Sequence, residues 1–194
     1  MPYTNSLIDA AWHTADTYFK HDASGHDIEH TKRVHHAAMK ICLEEDGLPQ
    51  KTELIAILHD VGDHKLDVDS GMEAFSKLTA QFPTITDLLN EVQSECARIS
   101  FSKGGKPQTI EGRIVQDADR LDSIGAIGIA RCFMFAGDRG HRLTGDGQSA
   151  VQHFYDKLLK IKDTLHTRTA IKEAERRHDF LVRFLDELYQ DMQL

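Results

Sequence analysis

Apolar residues recur at three- and four-residue spacings along nearly the whole chain, a pattern that predicts one helix after another. Residues 5–20 place Leu7, Ala11, Ala15 and Phe19 on one stripe. After a turn at Ser24-Gly25, a second helix is predicted from Asp27 to Glu45, with His30, Val34, Ala38 and Ile41 inward and Gly47 closing it. Pro49 suits the first turn of a third helix. That helix runs to Val61 through Leu54, Ile55, Ile57 and Leu58, with Gly62 at its C-terminal end. Further helices are predicted over 70–81 and 84–99, parted by Pro83, and a loop over 102–107. Helix resumes over 108–121, where Ile114, Val115, Ala118 and Leu121 share a face. It continues over 123–136, where Gly125, Ala126, Gly128 and Ala130 are small enough for close helix contact. The glycine-rich stretch 137–147 reads as a loop. The last helices are predicted at 148–160 and 168–191, the latter with Ala174, Leu181, Leu185 and Leu188 inward. Neither a hairpin signal nor an alternating strand run interrupts this pattern. The expectation is an all-α, single-domain helical bundle over residues 1–194.

Composition narrows the function classes. The chain has 194 residues, 40% hydrophobic and 28% charged, as in an ordinary globular protein. Its 31 acidic against 23 basic residues give a formal charge of −8, which argues against a duplex nucleic-acid binder. A small phosphorylated substrate stays open, because it needs only a local cation. No segment approaches the roughly 18 consecutive apolar residues of a membrane span. The N-terminal stretch lacks the basic start and apolar run of a secretory signal. Cys42, Cys96 and Cys132 are far apart and form no CxxC, so a reducing, cytoplasmic setting without disulfides is expected. Histidine is unusually frequent, at 12 residues.

Four residues occupy positions where their helices should be apolar. His30 lies on a buried stripe, His59 and Asp60 end the run LIAIL, and Asp119 interrupts IVQDADRL. Burying a polar group without a partner costs about 2–7 kcal/mol by transfer estimates, and a lone charge costs more. A domain's net stability is only about 5–15 kcal/mol. These groups must therefore satisfy one another, meet other polar groups, or hold a cation. Two imidazoles and two carboxylates form a cage suited to a divalent transition metal better than to calcium.

The segments GHDIEHTKRV (25–34), ILHDVGDHK (57–65) and IVQDADRLDSIGAIGIAR (114–131), in that order, resemble the HD-domain phosphohydrolase superfamily. The third segment and HFYDKLLKIKDTLHTRTA (153–170) are similar to the YpgQ-like group of small bacterial HD nucleotide pyrophosphohydrolases. The resemblance covers roughly residues 20–190. It implies an HD-type bundle with its metal-site core at about 26–122 and C-terminal helices at about 148–191. It also implies His30, His59, Asp60 and Asp119 as metal ligands. One divalent metal is expected, manganese ahead of cobalt, nickel, iron, zinc or magnesium. Two-metal HD enzymes carry extra histidines between the doublet and the last Asp. Here only His64 lies in that interval, and ARISFSKGG (97–105) fills the place, so a mononuclear site is expected.

The implied reaction is hydrolysis of a nucleoside triphosphate to monophosphate and pyrophosphate. A nucleoside monophosphate phosphatase and a non-catalytic nucleotide sensor are the alternatives. Asp63, one turn beyond Asp60, is the candidate to orient or deprotonate the attacking water, with His64 as its rival; a surface charge at a helix end is the plain structural reading. Arg33, Lys65 and Arg131 are candidate phosphate contacts, and Asp122 a contact to a water or sugar hydroxyl; each is equally readable as a surface charge. Asp27 reads as an N-cap at least as well as a partner to a ligand histidine. His35 and His36 are expected to be solvated on a helix flank. The expected partner is a small phosphorylated molecule, with neither duplex nucleic acid nor membrane, and a homodimer is allowed for.

Overall fold

A computed structural model describes residues 3–20, 27–62, 68–99, 105–145 and 147–193. The Ser24-Gly25 turn, Ser102–Gly104 of the predicted loop, and Asp63, His64 and Lys65 lie outside the described residues. Within them the chain is all-α: α1 (Tyr3–Phe19), α2 (Ile28–Cys42), α3 (Pro49–Leu58), α4 (Val68–Gln81), α5 (Thr86–Ile99), α6 (Ile110–Asp122), α7 (Gly125–Asp138), α8 (Ala150–Asp156) and α9 (Arg168–Asp191). Two 3-10 turns, Pro83–Ile85 and Leu158–Thr164, join them, and one isolated bridge links Arg142 and Ser149. No helix among the described residues is long and apolar enough to cross a membrane. The chain forms two compact units, Met1–Ala118 and Asp119–Leu194, the division falling inside α6.

In the first unit α3 is the central rod. Leu54 to Leu58 are all buried, and the helix packs against α1, α2 and α5. Five consecutive apolar residues leave this half of the helix no face to give to water, so it is enclosed, while Gln50 near its start is exposed. Its first turn is tied down where the Leu48 N–H donates to Glu111 Oε1 at 3.0 Å. Asp27 is the N-cap of α2 and accepts the His30 N–H at 2.7 Å. Near the end of α5, the buried Gln116 side chain of α6 donates to the carbonyls of Ile99 (3.0 Å) and Gly105 (3.1 Å).

The second unit centres on Phe133, Phe154 and Phe184, whose ring centroids lie 5.8–6.0 Å apart. Arg177 of α9 donates to the Leu121 carbonyl at the end of α6 (2.6 Å) and to Glu173 (2.8 Å). Gly125 starts α7 at φ +75, and a Cβ there would meet the Arg177 side chain at 3.1 Å. Thr167 caps α9.

Several expectations shift. α2 stops at Cys42: the Leu43 N–H still donates to the Met39 carbonyl, but the Glu44 N–H donates to the Ile41 carbonyl and the chain passes into a turn. α3 stops at Leu58, so His59 and Asp60 stand in the turn that follows it. The helix predicted over 148–160 breaks at Lys157, whose backbone leaves the helical region (φ −133, ψ −61). Leu188 is only half-buried. His36 is exposed as expected, but His35 is half-buried, its ring 5.2 Å from Trp12 and its Nε2 3.2 Å from Glu53 Oε1. All three cysteines are free and buried. Burial pushes the Cys132 thiol up to about 11 and, with the fields of Asp60 and Glu95, raises Cys96 as well.

Candidate metal centre

Helix α2 brings His30, one turn from its capped start, to the buried side of the first unit. The turn after α3 brings His59 and Asp60. One ligand atom from each of the three lies within 4.8 Å of the others. His30 Nε2 is 3.5 Å and His59 Nε2 3.3 Å from the same oxygen, Asp60 Oδ2. The imidazole centroids are 5.4 Å apart at 61°. All three residues are buried, at 1%, 4% and 7% exposure.

The His59 ring decides what this pocket can hold. Its Nδ1 lies 2.9 Å from the Ala56 carbonyl oxygen. A carbonyl only accepts, so Nδ1 carries the proton, and in the neutral ring Nε2 presents a lone pair. That lone pair faces a carboxylate oxygen. Two acceptors at this distance are compatible only if positive charge sits between or on them, either a proton or a metal ion. A histidine whose far nitrogen is held by a backbone carbonyl is the usual arrangement of a metal ligand. The nitrogen-plus-oxygen donor set suits a divalent transition ion. The residues present thus fit a metal.

The remaining predicted residues lie on α2, α6 and α7 or outside the described residues. Asp119 opens the second unit, half-buried on α6. The segment also carries a fully buried carboxylate, Asp117, at 0% exposure, which the sequence reading did not single out. Two positions on a helix are about 200° apart, so periodicity alone cannot say which Asp of DAD turns inward. Arg33 is half-buried on α2, one turn beyond His30. Asp122 and Arg131 meet each other: Arg131 Nη1 donates to Asp122 Oδ2 at 2.5 Å, and Asp122 is 5% exposed. That contact joins the end of α6 to α7. Asp63, His64 and Lys65 are outside the described residues.

A buried His-His-Asp cluster on an all-α frame defines a class, and the chain belongs to it: the HD domain family model matches residues 27–124. It is an HD-superfamily hydrolase, a metal-dependent phosphohydrolase. Among particular proteins, it is 43% identical to YpgQ of Bacillus subtilis (strain 168) over 178 residues, 88% of this chain and 86% of that one. The crystal structure of Bacillus subtilis YpgQ in complex with ADP superposes with a TM-score of 0.80 at 37% identity, covering 97% of this chain and 96% of that one. An HD-superfamily hydrolase from Bacillus thuringiensis gives 0.83 at 33% identity, covering 98% of each.

Proposed function

We propose that the protein hydrolyses nucleoside or deoxynucleoside triphosphates to the monophosphate and pyrophosphate. The observation that carries this reading is the convergence of His30, His59 and Asp60 on one buried point. That YpgQ was crystallised with ADP supports a nucleotide ligand here. His30, His59 and Asp60 would hold the metal, with Asp119 as the fourth ligand by family resemblance. When bound, such an ion lowers the pKa of a coordinated water and draws charge from a phosphoryl oxygen.

The protein's own groups do the rest. Asp63 orients the attacking water and takes its proton, with His64 as the rival base. Arg33 and Lys65 hold the phosphates against the −8 charge of the chain. Arg131 is the third candidate phosphate contact, and its guanidinium is paired with Asp122. The bond from water oxygen to the α-phosphorus forms, the bond to the bridging oxygen breaks, and pyrophosphate leaves.

A nucleotide panel assayed with Mn²⁺, scored separately for pyrophosphate and orthophosphate, tests this. The expected result is pyrophosphate with an equal amount of nucleoside monophosphate. Orthophosphate from monophosphates would establish a phosphatase instead. Nucleotide binding without either product would establish a sensor.

A further inference from the structure

Two glycines nine positions apart touch beside the metal cluster. Gly62, two residues after Asp60, ends the turn that carries the doublet and has φ +83, a conformation that favours glycine. Gly71 lies in the first turn of α4. A Cβ built on Gly71 would stand 2.2 Å from Gly62 Cα, 2.5 Å from Gly62 N and 3.3 Å from the Val61 carbonyl carbon. All three are backbone atoms, so no rotamer change relieves the overlap. The main chain of α4 is therefore packed directly on the main chain that leaves Asp60.

α4 is a firm seat for that contact. Gly71, Phe75 and Leu78 form its buried face at helical spacing, and the helix packs on α1 and α5. On the other side, the Val61 N–H donates to the Leu58 carbonyl at 3.0 Å, joining the turn to the rigid end of α3. The stretch 59–62 is thus held between α3 and α4. We propose that Gly71 is a positioning residue for the metal centre: its missing side chain lets α4 brace the turn so that Asp60 Oδ2 stands within reach of both imidazoles.

This inference rests on His30, His59 and Asp60 being metal ligands. A Cβ at Gly71 must push the turn or the helix by a sizeable fraction of the overlap. Ligand distances at metal sites keep within about 0.2 Å of their usual values. Loss of a residue that orients ligands weakens binding about 10–100-fold.

The test is Mn²⁺ affinity, measured by chelator competition on folded protein, with circular dichroism as the check of folding. Gly71→Ala is expected to bind Mn²⁺ at least about tenfold more weakly than wild type. Where Gly71→Ala does not fold, Phe75→Leu decides. It loosens the anchor of α4 without touching Gly71, and a weakening of about threefold or more is expected. Ile161→Val, a comparable trim in the second unit, should leave the affinity unchanged; equal weakening there would assign the effect to general destabilisation and overturn the inference. Wild-type affinity in folded Gly71→Ala, or in Phe75→Leu where that variant decides, would also overturn it. Wild-type protein that binds no Mn²⁺, or His59→Ala that binds as wild type does, would instead overturn the ligand assignment beneath it.

Discussion

At the scale of single residues, buried polar atoms are placed by what they must donate to or accept from. His59 Nδ1 is committed to the Ala56 carbonyl, and that commitment turns Nε2 toward Asp60. Gln116 is another such case, its amide donating to the carbonyls of Ile99 and Gly105. Gln116→Leu keeps the volume and removes the donor. It is expected to cost about 2–3 kcal/mol, from the penalty for buried acceptors left unmet, measured by urea denaturation; a loss within error would contradict the assignment. Glu173 makes a pH prediction. Hydrogen bonds from Arg176, and then from Arg177, outweigh its burial and hold the carboxyl at about 2. The unfolded value is near 4.3, so the contribution is fully present above that pH and is lost as pH falls toward about 2. The side chain is 35% exposed, and solvent screening keeps its worth to about 1 kcal/mol or less. Glu173→Gln should therefore be slightly less stable than wild type at pH 7, the gap narrowing in melts taken from pH 4.5 downward. Of the ligand residues, His30 and the His59-Asp60 doublet were readable because each breaks an apolar run. The burial of Asp117 was not readable, because its neighbour Asp119 breaks the same run.

At the scale of elements, helix termini explain where glycine is required. The nearly buried Glu95 of α5 accepts the N–H groups of Gln108 (3.1 Å) and Thr109 (3.3 Å), just before α6 starts. A Cβ on Gly112 would stand 2.0 Å from Glu95 Oε2. Gly112→Ala should thus displace the carboxylate and cost about 2–4 kcal/mol. Gly137 in α7 has open space around it, so Gly137→Ala should be neutral or stabilising by up to about 1 kcal/mol. Thermal or urea melts of the two variants check the contrast, and similar losses in both would contradict it. Helix spacing in the sequence located α9 to the residue, because Thr167 caps it and its apolar stripe is long. It failed at Lys157, where no residue type signals a break and the chain turns into a 3-10 segment. It also carried α3 past Leu58, because an apolar run does not reveal where helix gives way to a turn.

At the scale of the molecule, the all-α class was legible because period-two alternation is missing throughout, while the division into two compact units inside α6 left no mark in the residue pattern. The family was legible from three ordered segments, and the match over residues 27–124 rests on the same stretch. The central claim is that a metal ion sits among His30, His59 and Asp60. The most direct measurement is elemental analysis of protein loaded with Mn²⁺ and dialysed, for wild type, His59→Ala and Asp60→Asn, each shown by circular dichroism to be folded. The account predicts about one equivalent in wild type and little in either variant. Equal metal content in all three would contradict it.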